Sequence, residues 1–328
     1  MGNPSSDPLD LFSTSAPRME PQRPWTPQPP RRAPVWRHVV LFLLTVATTA
    51  IVGANHFAVF QFDYSTQSAP EISSIALMLN GLWYCLSILA ILGAHEFGHY
   101  FACRHYGVDA SLPYFLPAPL PLTGTLGAFI RIRQPIPGKR ELFDIGIAGP
   151  IAGFVVAVPV LIAGMSFSRI TQLPADTSGF IELGEPLLFK AVAWMIWGTP
   201  PDGYSINMHP MAFAAWFGLL ATALNLFPIG QLDGGHISYA VLGRKSTAVT
   251  LVTVIVLIGL TFISSSWLVW TVLTVIMLAT FGPRHPSTID EDIPLDRARL
   301  WLAVGAVVMF ILCFTPTPIE PFEIVSGR

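Results

Sequence analysis

The chain has 328 residues, of which 52% are hydrophobic and 12% charged, and a formal net charge of −2. A water-soluble fold needs about twice that charged share to keep a polar skin, and a nucleic-acid binder needs a basic surface. Three scattered cysteines, Cys85, Cys103 and Cys313, are too few for a disulfide framework or a cysteine-built zinc site. What remains is an all-α, polytopic protein of the lipid bilayer, with no nucleic acid as partner.

Residues 1–37 hold many Pro, Ser and Arg and little that forms a core, so they are predicted to be a disordered cytoplasmic tail. Uncharged stretches then locate the spans. Residues 39–62, 72–94 and 145–168 hold 24, 23 and 24 uncharged positions. Residues 203–232 hold 30, 246–283 hold 38 and 300–319 hold 20. A bilayer core needs about 20 apolar residues per helix. The 38-residue stretch is long enough for two helices joined at Ser264–Ser266, which brings the prediction to a bundle of seven spans. Lys and Arg placement alternates with this count. Arg18, Arg23, Arg31, Arg32 and Arg37 precede the first span, Arg104, Arg131, Arg133, Lys139 and Arg140 follow the second, and Arg244 and Lys245 precede the fifth.

Residues 105–142 break the helical pattern. They carry Pro113, Pro117, Pro119, Pro121, Pro135 and Pro137, which exclude a continuous helix. Within them Thr125–Arg133 ends in a period-2 alternation, a short strand signal. Irregular backbone at membrane depth survives only where protein or a water-filled cavity covers it. A short re-entrant or β-strand segment near a site is therefore expected. Residues 187–197 are too short to span and are read as an interfacial helix. Trp194, Trp197, Trp267 and Trp270 fit an aromatic belt. His56, His105, His209 and His285 lack ligand spacing and are read as interfacial or solvated. The Gly and Ala run at 146–153 is read as a face for close helix packing. The organisation expected is a tail at 1–37, a membrane-embedded core at 38–283, and a loop, last span and short tail at 284–328.

The chemistry concentrates in two places. His95-Glu96-Phe97-Gly98-His99 puts two imidazoles at i and i+4, on one helix face, with a carboxylate beside them. Composition alone gives about 0.005 chance matches in a chain like this one, and ionisable groups against a span are functional candidates by default. Two histidines leave a catalytic metal one protein ligand short. Asp233 follows thirty uncharged residues and precedes Gly234 and Gly235, in a segment punctuated by Pro228 and Gly230. Asp233 is a candidate third ligand, and His236, three residues later, is its rival.

HEFGH at 95–99 followed by Asn225-Leu226-Phe227-Pro228-Ile229-Gly230-Gln231-Leu232-Asp233-Gly234 resembles the site-2 protease family of intramembrane zinc metalloproteases. That family's pattern is HExxH on one span and Asn-x-x-Pro-x-x-x-Leu-Asp-Gly on a later one, and both match here position by position. Gly124–Gly127 and Asp144–Gly153 also look like this family. The resemblance implies one Zn2+ per chain held by His95, His99 and Asp233, with Glu96 as general base and Asn225 in contact with substrate. It implies a single-span membrane protein as substrate, cut in or near its transmembrane segment. An extended substrate can pair with the strand region, which makes Gly124, Gly127, Phe129 and Ile130 substrate-binding candidates. No stretch is long enough for a PDZ or CBS domain, as in the branch that includes plant chloroplast relatives. Polar groups confined to two motifs with a general base favour an enzyme over a zinc-binding transporter. An intact His95, Glu96, His99 and Asp233 favours it over an inactive scaffold. A bacterial cytoplasmic membrane, with the site toward the cytoplasm, is the expected location.

Overall fold

Pro34 holds an extended backbone just before the first apolar run, and helix begins at the next residue. The computed structural model describes residues 34–62, 71–173, 181–282, 288, 290 and 293–321. Most of the expected N-terminal tail and residues 63–70 lie outside the described residues. The described chain is mostly helical. Helices α1 (Val35–Gln61), α2 (Ser74–His105) and α3 (Lys139–Phe167) are followed by the short α4 (Leu187–Trp197) and by α5 (Pro210–Leu226). Then come α6 (Asp233–Leu242), a tight turn at Gly243–Lys245, α7 (Ser246–Thr261), α8 (Trp267–Phe281) and α9 (Arg297–Cys313).

Four helical stretches are long and apolar enough to cross a membrane: Val35–Gln61, Ser74–His105, Lys139–Phe167 and the α6–α7 run Asp233–Thr261. The sequence predicts seven. The shortfall lies in α5, α8 and α9, which have 17, 15 and 17 residues. Local chemistry sets these lengths. Pro210 starts α5, and Pro228 keeps the residue before it, Phe227, in extended backbone, so the uncharged run at 203–232 is longer than the helix inside it. The joint between α7 and α8 falls at residues 262–266, around the predicted serines.

Small residues let the long helices approach closely. A Cβ at Gly53 of α1 would strike the Gly81 carbonyl of α2, and a Cβ at Gly81 would meet α1 backbone in return. Gly98 of α2 fits against the Ala148 carbonyl of α3 in the same way, and Gly164 of α3 against Ala212 of α5. The core forms where α2, α3 and α5 meet, around Tyr84, Ile88, Phe143, Leu161, Trp216 and Leu219. α9 joins this core through Ala306, Met309 and Cys313. A second cluster, Phe227, Ile229, Leu257, Leu260 and Trp267, seats the α7–α8 pair.

The proline-rich segment forms an antiparallel hairpin of β1 (Tyr114–Pro117) and β2 (Thr125–Phe129), with Tyr114 opposite Phe129 and Leu116 opposite Gly127. It lies along α1. His38 Nδ1–H donates to the Pro113 carbonyl at 3.1 Å and His56 Nε2–H to the Leu122 carbonyl at 3.0 Å. These histidines are 18 positions apart on one helix, or about 27 Å, close to the thickness of a bilayer core. Tyr84 of α2 also donates to Thr123 at the hairpin tip, at 2.9 Å.

Two small sheets pair β3 (Arg169–Gln172) with β5 (Tyr204–Asn207) and β4 (Ile181–Leu183) with β6 (Ile319–Pro321). Trp194, expected in an aromatic belt, is exposed, whereas Trp267 is fully buried and donates to the Pro316 carbonyl at 2.7 Å. A buried partner satisfies that indole N–H as well as an interface does. His56 and His209 likewise pack inside the protein rather than in solvent, against Tyr84 and Phe213 and against Phe60 and Trp83 respectively. His285 lies outside the described residues.

Candidate metal centre

Helix α2 places His95 and His99 one turn apart, facing α3 and α6. Asp233 opens α6, where Leu232 turns the chain from extended backbone into helix. Gly234 and Gly235 make this start possible: a Cβ on either would run into carbonyls of the preceding 226–230 segment. Asp233 therefore swings in under the two histidines. His95 Nε2 lies 3.2 Å from Asp233 Oδ2, His99 Nε2 lies 3.3 Å from it, and the two Nε2 atoms are 3.1 Å apart. Among the described residues, these three form the group of ligand-type side chains that converges on one point. His236 stays out of it, with its Cβ against Gly146 of α3.

The donor set fits zinc. Tetrahedral bonds of about 2.0–2.1 Å put ligand atoms about 3.3–3.4 Å apart, nearly the triangle seen here. His99 Nδ1–H donates to the Ile145 carbonyl at 2.7 Å, which fixes the tautomer that leaves Nε2 as a lone-pair donor. The space around the rings is cut to size by α3. A Cβ at Gly149 would overlap the His99 ring, and one at Gly153 would lie 3.1 Å from His95 Cβ. The two pairs run in opposite chain directions at the same four-residue spacing. The glycines expected to serve packing thus pack against the candidate ligands themselves.

Glu96 is buried beside this triangle and interacts with His99 and Asp233. The Ile130 backbone, just past β2, lies next to its carboxylate. Asn225, near the end of α5, brings Nδ2 within 3.3 Å of His95 Nε2. Of the other strand residues, Phe129 is half-exposed and stacks on Tyr114, with ring centres 5.3 Å apart. Gly127 has open space where a side chain would go, with φ of 103°. Gly124 sits at the far end of the hairpin, pressed against the Thr48 carbonyl of α1, away from the triangle.

A polar clasp that the sequence did not single out lies one residue from Ile145. Asp144 accepts from Arg299 Nη2 at 2.5 Å and Nε at 2.9 Å, and from the Tyr106 hydroxyl. Arg299 also pairs with Asp296. The clasp ties the start of α9 and the end of α2 to the first turns of α3. The Asp144 carboxylate holds the Tyr106 phenol above its ordinary pKa, and burial adds to the rise. For the glycines a signal was readable: the 149/153 spacing repeats the 95/99 spacing. For Arg299 none was, because its partner is 155 positions away.

The profile of Peptidase family M50 matches residues 83–266, which include both motifs. The chain is 28% identical over 260 residues to the probable zinc metalloprotease EGY2, chloroplastic, of Arabidopsis thaliana, covering 78% of this chain and 45% of that protein. It is 28% identical over 300 residues to the probable zinc metalloprotease EGY1, chloroplastic, of Oryza sativa subsp. japonica, covering 85% and 51%. It is 30% identical over 244 residues to the probable zinc metallopeptidase EGY3, chloroplastic, of Arabidopsis thaliana, covering 69% and 40%. The chain thus spans about half the length of the curated relatives it matches. No solved structure matches it. The expected bacterial cytoplasmic membrane is corrected by these names, which place the relatives in the chloroplast. Lys and Arg asymmetry reports which side of a membrane a loop occupies, not which membrane it is. With more than half of its length matched, motifs included, the chain belongs to Peptidase family M50.

Proposed function

We propose that this protein is an intramembrane zinc metalloprotease that hydrolyses peptide bonds in or near the transmembrane segment of a single-span membrane protein. One observation carries the reading: three donor atoms of His95, His99 and Asp233 lie 3.1–3.3 Å apart with the Glu96 carboxylate beside them. His95, His99 and Asp233 hold the zinc. When bound, zinc acts as a Lewis acid and lowers the pKa of a coordinated water. Glu96 takes a proton from the attacking water and returns it to the departing amine nitrogen. Asn225 sits where its amide meets the substrate carbonyl or the adjacent backbone.

The substrate helix has to unwind before its carbonyls are open to attack. The β1–β2 hairpin offers the extended partner it then needs, since β2 has one paired neighbour among the described residues and ends beside Glu96. Gly127, Phe129 and Ile130 form this ledge, and Gly124 sets its far end. The 27 Å run along α1 supports a re-entrant hairpin. Seven spans remain our reading. α5, α8 and α9 at 15–17 residues reach about 22–26 Å, a shortfall that local thinning of the bilayer accommodates at modest cost. Residues 38–283 make up the protease core, with α9 buttressing it.

The test is a reconstituted single-span substrate with wild type and Glu96→Gln. Cleavage should fall by about 10²–10⁴-fold, the usual worth of a general base, while one zinc per chain is retained. Cleavage by Glu96→Gln at the wild-type rate would overturn the reading.

A further inference from the structure

Beside the metal centre the structure holds a second concavity that the mechanism above does not use. It is a pocket of about 130 Å³ between the Leu224–Leu232 segment and the α7–α8 pair. Leu224, Phe227, Ile229, Leu257 and Trp270 give it apolar walls, and Thr274 and Met277 of α8 close it. Two of its lining residues also belong to the site's surroundings. Asn225 is 3.3 Å from His95 Nε2, and Leu232 is the residue before Asp233. The pocket thus shares Asn225 with the surroundings of the metal centre and borders the residue that precedes Asp233.

We propose that this pocket receives one large apolar side chain of the substrate, aromatic or branched aliphatic, next to the bond that is cut. The inference rests on the protease reading above and names a specificity that reading leaves open. The size argument is direct: an apolar cavity of about 150 Å³ accepts a benzene ring, so this one, at about 130 Å³, has room for a single ring or branched chain. The wall chemistry agrees. An apolar lining with one amide and one hydroxyl is how small sites fix a hydrophobic group in one orientation. α8 packs chiefly on α7, and Met277 and Leu278 rest on the turn at Gly230. The outer wall can therefore be resized without touching the zinc ligands.

The experiment uses the full chain in proteoliposomes and a panel of single-span peptides of about 20 apolar residues. The peptides differ at one position at a time, as Ala, Val, Leu or Phe, scanned across the cut. Wild type should cleave the Leu or Phe members at least about ten-fold faster than Ala at one position, the usual worth of a few methylenes in a pocket. Thr274→Phe, which fills the pocket, should erase that preference and leave the zinc content unchanged. Met277→Ala, which enlarges it, should admit Trp at the same position, and it decides the matter if Thr274→Phe does not fold. Size preference unchanged in a folded, zinc-loaded variant would leave the pocket to a lipid chain and overturn the proposal. A flat wild-type preference would overturn the pocket alone, whereas a wild type that cuts no member of the panel would overturn the protease reading with it.

Discussion

On its α3 side, the His95–His99–Asp233 triangle meets glycine. A methyl group at Gly149 would overlap the His99 ring, and one at Gly153 would press on His95 at 3.1 Å. The Ile145 carbonyl fixes the His99 tautomer from the same helix. Around the hairpin and α8 the construction is different. There the neighbours are a short strand with half-exposed residues, the Ile130 backbone beside Glu96, and a pocket lined by apolar side chains. The difference separates two jobs. Holding three ligands at bonding distance requires a wall with no freedom, and backbone supplies it at glycine. Accepting an extended chain requires a wall with room, and strand edges and side chains supply that.

The sharpest way to break this comparison is to put bulk on the glycine wall. Gly149→Val should displace His99 and lower zinc affinity by about 10–100-fold or more, the scale of losing a ligand's support. Gly259 of α7 has nothing within 4 Å of where its Cβ would be. Gly259→Ala should change stability by less than about 1 kcal/mol and leave zinc untouched. Equal zinc retention in both, measured by metal analysis, would show that α3 does not shape the centre. Ile130→Pro tests the open wall. Removing the Ile130 N–H should cut cleavage at least about ten-fold, by weakening the strand edge that an extended substrate would pair with, with zinc content unchanged. Normal cleavage would remove the ledge from the account. The smallest effect belongs to the clasp. Arg299→Leu should cost on the order of 1–2 kcal/mol, seen as a lower Tm, with a cleavage loss of only a few-fold. A complete loss of zinc would instead make α9 part of the centre.

How much of this was legible depended on distance along the chain. His95 and His99 are four positions apart on one helix, so the sequence alone put them on one face. Asp233 was legible as a candidate because an acid stood between an apolar run and two glycines. Choosing it over His236 required the family resemblance, and the geometry then placed Asp233, not His236, against the histidines. The alternation at 125–133 announced a strand, but not its long run against α1. That run depends on His38 and His56 meeting the Pro113 and Leu122 carbonyls, contacts 75 and 66 positions apart. Counting uncharged residues overstated helix length, because Pro210 starts and Pro228 stops a helix inside a longer apolar run. Charge asymmetry could not name the membrane, for it reports sidedness alone.

The central claim is that two distant motifs build one metal site. Zinc per chain in the detergent-purified wild type and in Asp233→Ala tests it most directly. We predict about one zinc in the wild type, as a three-ligand catalytic site implies, and clearly weakened binding in the variant at an unchanged fold. Full zinc occupancy in a well-folded Asp233→Ala would contradict the account, because His95 and His99 would then be completing their site with a different residue.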